Sequence, residues 1–266
     1  MHEFNSILLI GCGNMGGAML TGWLAAGFDP ARFTVVDPYL DAAPEGVVLL
    51  RELPAGVFDA ILLGVKPQLL GDVAPQLAGL AGADTVILSI LAGAELASLA
   101  ARFPLAKGIV RIMPNLAAAI GKSPIALARR GLGDADAVTV TALMQPLGTP
   151  EWIDERLFDA VTALAGSGPA FVYRFIDALA AGATALGLDA DQAQRLALAT
   201  AQGASALAAA SPPGPGELAR RVASPGGTTE AGLRALDADE ALARLVAATL
   251  KAAADRSAEM AAAARS

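Results

Sequence analysis

Histidine and cysteine are all but missing. The 266 residues contain one of each, His2 and Cys12, and that scarcity removes several chemistries at once. A lone cysteine forms no internal disulfide and no cysteine-cluster metal site. A lone histidine, second from the start, leaves the body of the chain without a Ser-His-Asp triad, a histidine-ligated zinc or a histidine general base, and no metal is expected. Aromatic residues are few (Phe 8, Trp 2, Tyr 2), charged residues make up 17%, and the net charge is −7. An acidic chain repels phosphate backbones, which argues against nucleic acid as a partner. No run of about 18 apolar residues passes without glycine, proline or polar breaks, so no membrane span is expected. The N-terminus also lacks the basic stretch of a signal peptide, and a cytoplasmic protein is the expectation.

What the chain does have is small and apolar: 55% hydrophobic residues and 28 glycines. This composition excludes disorder and suffices for one large domain or two moderate ones. Helices rich in alanine bury area by close packing, and association with a further copy of the chain adds to it.

The pattern changes near residue 155, predicting domains at 1–155 and 156–266. In the first, short β-rich runs at 6–10, 33–36, 59–65, 85–90, 108–112 and 124–128 alternate with helical stretches at 14–27, 68–79, 93–102 and 134–147. Runs such as AILLGV and TVILSI are apolar throughout, as in a parallel sheet covered on both faces. The alternation predicts a doubly wound α/β fold. Beyond 156 the strand signal stops. Helices are expected at 156–165, 169–187, 189–210, 216–222, 229–236 and 239–264, an all-α half.

The run ILLIGCGNMGGAML places Gly11, Gly13 and Gly16 in GxGxxG spacing between a buried strand and a helix. This is the pattern for a dinucleotide. Gly11 allows the tight turn, Gly13 lets the backbone approach a pyrophosphate, and Gly16 allows close helix–strand packing. Cys12, Asn14 and Met15 complete the loop, and Cys12 reads as a small filler rather than a redox group. Asp37 ends the second strand about 20 residues on, where a carboxylate accepts from ribose hydroxyls and repels a 2′-phosphate; a plain turn residue before Pro38 is the other reading. Arg32, a few residues earlier, bears on the same preference. Val65, Lys66 and Pro67 close a strand at the carboxyl edge of the sheet, where ligands of such folds bind, and the backbone of this loop is a better cofactor contact than the Lys66 ammonium. Ser89 and Asn115 end later strands at the same edge. Asn115 carries both a donor and an acceptor for a ribose or carboxamide.

In the helical half, GSGPAF places Ser167 near a helix N-cap and Pro169 in its first turn. Further on, Ser224, Pro225, Gly226 and Gly227 form a compact loop, and Thr228 and Thr229 start a helix with Glu230 in its first turn. Clustered N–H groups at such a helix start suit a carboxylate, and threonine hydroxyls there can donate to a ligand nitrogen or oxygen. An N-cap without a ligand is the other reading.

GCGNMGGAM, VKP, SILAG, RIMPN, GSGPAF and SPGGTT, in this order and spacing, resemble pyrroline-5-carboxylate reductase over about residues 5–260. The resemblance implies a Rossmann domain plus a helical domain that interlocks with a partner's in a homodimer; some members assemble such dimers into decamers. It implies reduction of the cyclic imine 1-pyrroline-5-carboxylate to L-proline by hydride from NAD(P)H. It also implies that Ser224 to Thr229 hold the substrate carboxylate, with Thr229 as the catalytic hydroxyl at the imine nitrogen. The chain departs from the family in places. Asp37-Pro38 stand where many members carry Ser, Asn or Arg, which implies that NADH serves at least as well as NADPH. SPPGPGEL replaces an acidic-His-Pro stretch, Ala219-Arg220 replaces a common Lys-Asp pair, and Leu91 replaces a usual alanine.

The chemistry suits the inventory. An imine is more basic than a carbonyl, so it can enter protonated or take a proton from water through one hydroxyl, and a body without histidine is no obstacle. The alternatives are a related imine reductase or hydroxyacid dehydrogenase, a non-catalytic NAD(P)-binding regulator, and a helical scaffold with a vestigial dinucleotide domain. Hydroxyacid dehydrogenases carry a catalytic lysine in the helical domain, and Lys251, far along the last helix, is the only lysine after residue 122.

Overall fold

The computed structural model describes residues 3–265, with side-chain environments to 262; His2 lies outside them. Eight strands form one sheet: β1 (Ile7–Ile10), β2 (Phe33–Val36), β3 (Val48–Leu50), β4 (Ala60–Leu63), β5 (Val86–Ser89), β6 (Gly108–Met113), β7 (Ser123–Arg130) and β8 (Gly148–Trp152). Their order is β3-β2-β1-β4-β5-β6-β7-β8. Neighbours are parallel except β6 and β7. β1, β4 and β6 are buried at every residue, as strands covered on both faces must be. The covering helices are α1 (Asn14–Ala25), α2 (Leu70–Leu77), α3 (Leu96–Arg102) and α4 (Asp134–Met144). One face of the core gathers Trp23, Phe33 and Leu143, the other Leu70, Leu99 and Phe158. Trp23 stacks on Phe33 with centroids 5.4 Å apart and donates to the Leu143 carbonyl at 2.7 Å.

Two strands escaped the sequence reading. β3 has three residues and β8 reads GTPEW, and both are edge strands whose residues are only partly buried or exposed, so neither carries an apolar run. The connection from β2 to β3 is a loop without a helix.

Six further helices follow: α5 (Phe158–Val161), α6 (Gly168–Ala185), α7 (Ala190–Ala210), α8 (Pro215–Val222), α9 (Thr228–Leu236) and α10 (Ala241–Arg265), with a π-helical turn at Thr162–Gly166 between α5 and α6. By packing, residues up to Gly166 and those from Ala253 on belong with the sheet, and Ser167–Ala252 form a second unit. The sequence pattern placed the change near 155. Packing carries the sheet unit further because Phe158 is buried in the core face, Asn115 Nδ2 donates to the Ala165 carbonyl at 2.9 Å, and Ser257 donates to Asp159 at 2.7 Å. The second unit has a small core of its own, Ala180, Ala193 and Ala197 with Ile176 and Ala183 against them. Val172, Tyr173, Phe175, Leu196, Leu207 and Leu245 stand exposed on its helices.

Candidate active site

Strand order reverses between β1 and β4: β2 and β3 continue to one side, β5 onward to the other. The chain leaves both strands at this switch point, and a crevice opens there in doubly wound folds. The exit of β1 is tied to both of its neighbours, β2 and β4. The Gly11 N–H donates to the Val36 carbonyl at 2.9 Å and the Gly64 N–H to Ile10 at 2.8 Å. Gly11 holds φ +84°, and a Cβ on it would press on Gly64 and Val65 at 3.0 Å. A Cβ on Gly16 would meet the Gly11 carbonyl at 3.0 Å, so α1 lies directly on the loop. At Gly13 a Cβ would meet nothing within 4 Å: the loop faces open space there. Gly13 is also the N-cap of α1 and has no side chain to cap with. The first helical bond runs from Gly17 to Gly13 at 2.7 Å. The N–H groups of Asn14, Met15 and Gly16 therefore have no partner within the helix and converge at its positive end. A cradle of this kind fits a pyrophosphate.

Cys12 and Asp37 are joined: the Cys12 N–H donates to Asp37 Oδ2 at 2.8 Å, and Oδ1 accepts from Tyr39 N at 2.9 Å. Asp37 thus ties the glycine loop to the end of β2 and keeps about half of its lone-pair sites for other donors. Cys12 is buried. That burial, with the charge of Asp37 adding to it, pushes its thiol up to about 11, so it stays protonated and unreactive at neutral pH. Arg32 sits at the other end of β2, paired with Glu3 at 3.2 Å and placed over the Phe28 ring, and does not reach the carboxyl edge.

Val65 and Pro67 are half-buried beside the glycine loop, and Lys66 is exposed. Ser89 is fully buried at the end of β5. Asn115 is buried, and both ends of its carboxamide are engaged: Oδ1 accepts from Ala117 N at 3.0 Å while Nδ2 binds the Ala165 carbonyl. It pins the π-helical turn to the end of β6. Arg111, unremarked in the sequence, is buried in β6, pairs with Glu155 at 3.2 Å and lies 4.4 Å from the Phe158 ring centre. Glu155 also accepts from Leu96 N at 2.7 Å and so caps α3. No sequence signal pointed to this set, because its members are far apart along the chain.

In the second unit, Gly226 adopts φ +70° and the Gly227 N–H closes a turn on the Ser224 carbonyl at 2.9 Å. Gly227 is the N-cap of α9, with Thr228 and Thr229 the first two helical residues. A glycine cap leaves both threonine hydroxyls without a capping role, and neither makes a hydrogen bond among the described residues. Ser224, Pro225, Gly226, Thr228 and Thr229 are exposed. One loop donor is already engaged: Gly226 N–H donates to Glu230 at 2.8 Å. The N–H groups of Thr228, Thr229 and Glu230, orphaned at the helix start, remain to take an anion.

A doubly wound sheet with an open glycine cradle at its switch point, joined to a helical unit with a glycine-capped helix start whose N–H groups are unpaired, fits the class of two-unit dinucleotide-dependent oxidoreductases. The comparisons with known proteins agree. Residues 155–260 match the family model described as pyrroline-5-carboxylate reductase dimerisation. The chain is 36% identical over 264 residues, 96% of each chain, to the pyrroline-5-carboxylate reductase of Pseudomonas aeruginosa. It is 34% identical over 244 residues, 85% of each, to pyrroline-5-carboxylate reductase 2 of Bacillus subtilis. A solved pyrroline-5-carboxylate reductase of Coxiella burnetii superposes with TM-score 0.89 at 28% identity, over 97% of this chain and 98% of that one. The chain belongs to the pyrroline-5-carboxylate reductase family.

Proposed function

We propose that the chain reduces 1-pyrroline-5-carboxylate to L-proline. The observation that carries this is the helix start at α9: two threonine hydroxyls and three backbone N–H groups left without partners, in a family member whose body contains no histidine. NAD(P)H, when bound, supplies the hydride. The N–H groups of Asn14, Met15 and Gly16 would hold its pyrophosphate, with Gly11, Cys12 and Gly13 shaping the approach. Asp37 takes the adenosine ribose, and the Val65–Lys66–Pro67 backbone and Ser89 line the same edge. Asn115 contributes by fixing the end of β6.

The substrate's carboxylate rests on the loop from Ser224 to Thr229, chiefly on the helix-start N–H groups. Thr229 donates its hydroxyl to the imine nitrogen and relays a proton from water as the nitrogen becomes an amine. No dedicated acid is required: a neutral imine takes its proton from water through that hydroxyl, and an imine that enters already protonated donates to the Thr229 oxygen instead and needs no proton from the protein. The exposed apolar side chains of α6, α7 and α10 close against a second copy in a homodimer, and the enzyme works in the cytoplasm. No helix of the described residues is long and apolar enough to cross a membrane. The test is nicotinamide oxidation by the purified chain with pyrroline-5-carboxylate, and with 3-hydroxyacids run in the reverse direction. Turnover with the imine alone supports the reading; turnover with the hydroxyacids alone overturns it.

A further inference from the structure

Just beyond β3, Arg51 donates from Nη1 to the backbone carbonyl of Asp37 at 2.7 Å, and the Asp37 N–H donates to the Leu50 carbonyl at 3.2 Å. These two bonds fasten the end of β3 to the residue expected to read the adenosine ribose. Arg51 is exposed. Its one hydrogen bond goes to a neutral carbonyl, and among the described residues it forms no ion pair. Most of its donors and its whole charge are therefore unpaired within the described fold, beside the residue expected to meet the ribose. The Asp37 carboxylate accepts from Cys12 N and Tyr39 N and keeps lone pairs for further donors. Tyr39, 90% exposed, offers an aromatic face two residues further on.

A lone carboxylate at this corner would repel a 2′-phosphate. Here a guanidinium is fastened to the backbone carbonyl of the residue that carries the acid, so an arriving phosphate meets both charges at one corner. The guanidinium is also the side chain whose planar donors match phosphate oxygens. We propose that Arg51 determines dinucleotide specificity, binding the 2′-phosphate of NADPH and offsetting Asp37, so that the chain accepts both nicotinamides. The inference rests on the dinucleotide-binding part of the proposed function and on nothing in the helical unit.

The test is calorimetric titration of the purified protein with NADH and NADPH, without imine. Arg51→Gln keeps a donor for the Asp37 carbonyl and removes the charge. It should weaken NADPH by roughly 10-fold or more while leaving NADH within about 3-fold, the scale of one lost charge-assisted contact. Arg51→Lys should recover part of the loss, and Asp37→Ser should strengthen NADPH relative to NADH only while Arg51 is present. In the wild type, added salt should weaken NADPH more steeply than NADH, a difference absent from Arg51→Gln. Equal weakening of both nicotinamides, or of neither, overturns the proposal. If the variants fail to fold, equal salt dependence of the two nicotinamides in the wild type overturns it as well. Cofactor binding is read apart from turnover. A chain that binds NADPH through Arg51 yet leaves the imine untouched contradicts the reductase reading alone.

Discussion

At the scale of single residues, two side chains separate structural from chemical roles. Thr229 sits one position inside α9, beyond its glycine cap, and its hydroxyl bonds to nothing in the described fold. Thr229→Ala should therefore leave the melting temperature nearly unchanged. It should lower kcat/KM for the imine by roughly 10–100-fold, the scale of one hydrogen bond to a polar or charged group. A capping threonine would behave in the opposite way, losing about 1 kcal/mol of stability with catalysis intact. Melting and kinetics on the same preparation decide between them. Cys12 makes the contrasting case. Its thiol, ordinarily at 9.0, is raised to about 11 in the fold, by burial first and by Asp37 second. A raised value means that the folded state favours the protonated thiol. The associated stability is whole below pH 9 and is lost as pH climbs through about 11. Cys12→Ala should show a flatter alkaline limb in denaturation curves between those limits. Thiol reagents at neutral pH should label native wild type far more slowly than unfolded chain.

At the scale of elements, close backbone approaches position the glycine loop. Gly22 in α1 lies against the Ala118 carbonyl and 2.7 Å from the nearest Leu147 side-chain carbon, distances taken from where a Cβ would stand. In an open helix, Gly22→Ala would stabilise by about 1 kcal/mol through helix propensity. Here overpacking, about 1–3 kcal/mol, should win. Chemical denaturation should show a net loss, accompanied by weaker nicotinamide binding because α1 begins at the loop proposed to hold the pyrophosphate. Much at this scale was legible in advance. AILL and VILS read as strands because they are apolar almost throughout, and GCGNMGG reads as a loop turning into a helix at Asn14 because its glycine spacing is dictated by turn, approach and packing. The start of α9 was legible because SPGGTT leaves a helix no other place to begin. The edge strands were hidden by their half-polar sequences. With β3 went Arg51, whose place beside Asp37 is visible only once VLL is known to pair with TVV. From the sequence Asn115 offers a donor and an acceptor to a ribose or carboxamide, because a sequence does not show that the Ala165 carbonyl, 50 residues on, comes to meet it.

For the whole molecule, the sheet unit and the helical unit differ in how they are held together. The first buries two broad apolar faces on either side of its sheet. The second buries three alanines and leaves Val172, Tyr173, Phe175, Leu196 and Leu207 in contact with solvent. An apolar surface of that kind marks an interface, and the matching family model is one of dimerisation. Light scattering should find a dimer or a multiple of it at working concentrations, and a stable, active monomer would contradict this. Fold and site together imply hydride delivery to a carbon–nitrogen double bond by a protein without a histidine acid. The direct measurement supplies the purified chain with pyrroline-5-carboxylate and NADH deuterated on the transferable position. The expected product is L-proline carrying a single deuterium at C5, formed in step with nicotinamide oxidation and much reduced in Thr229→Ala. Nicotinamide that binds but is not oxidised, or proline formed without the label, would contradict it.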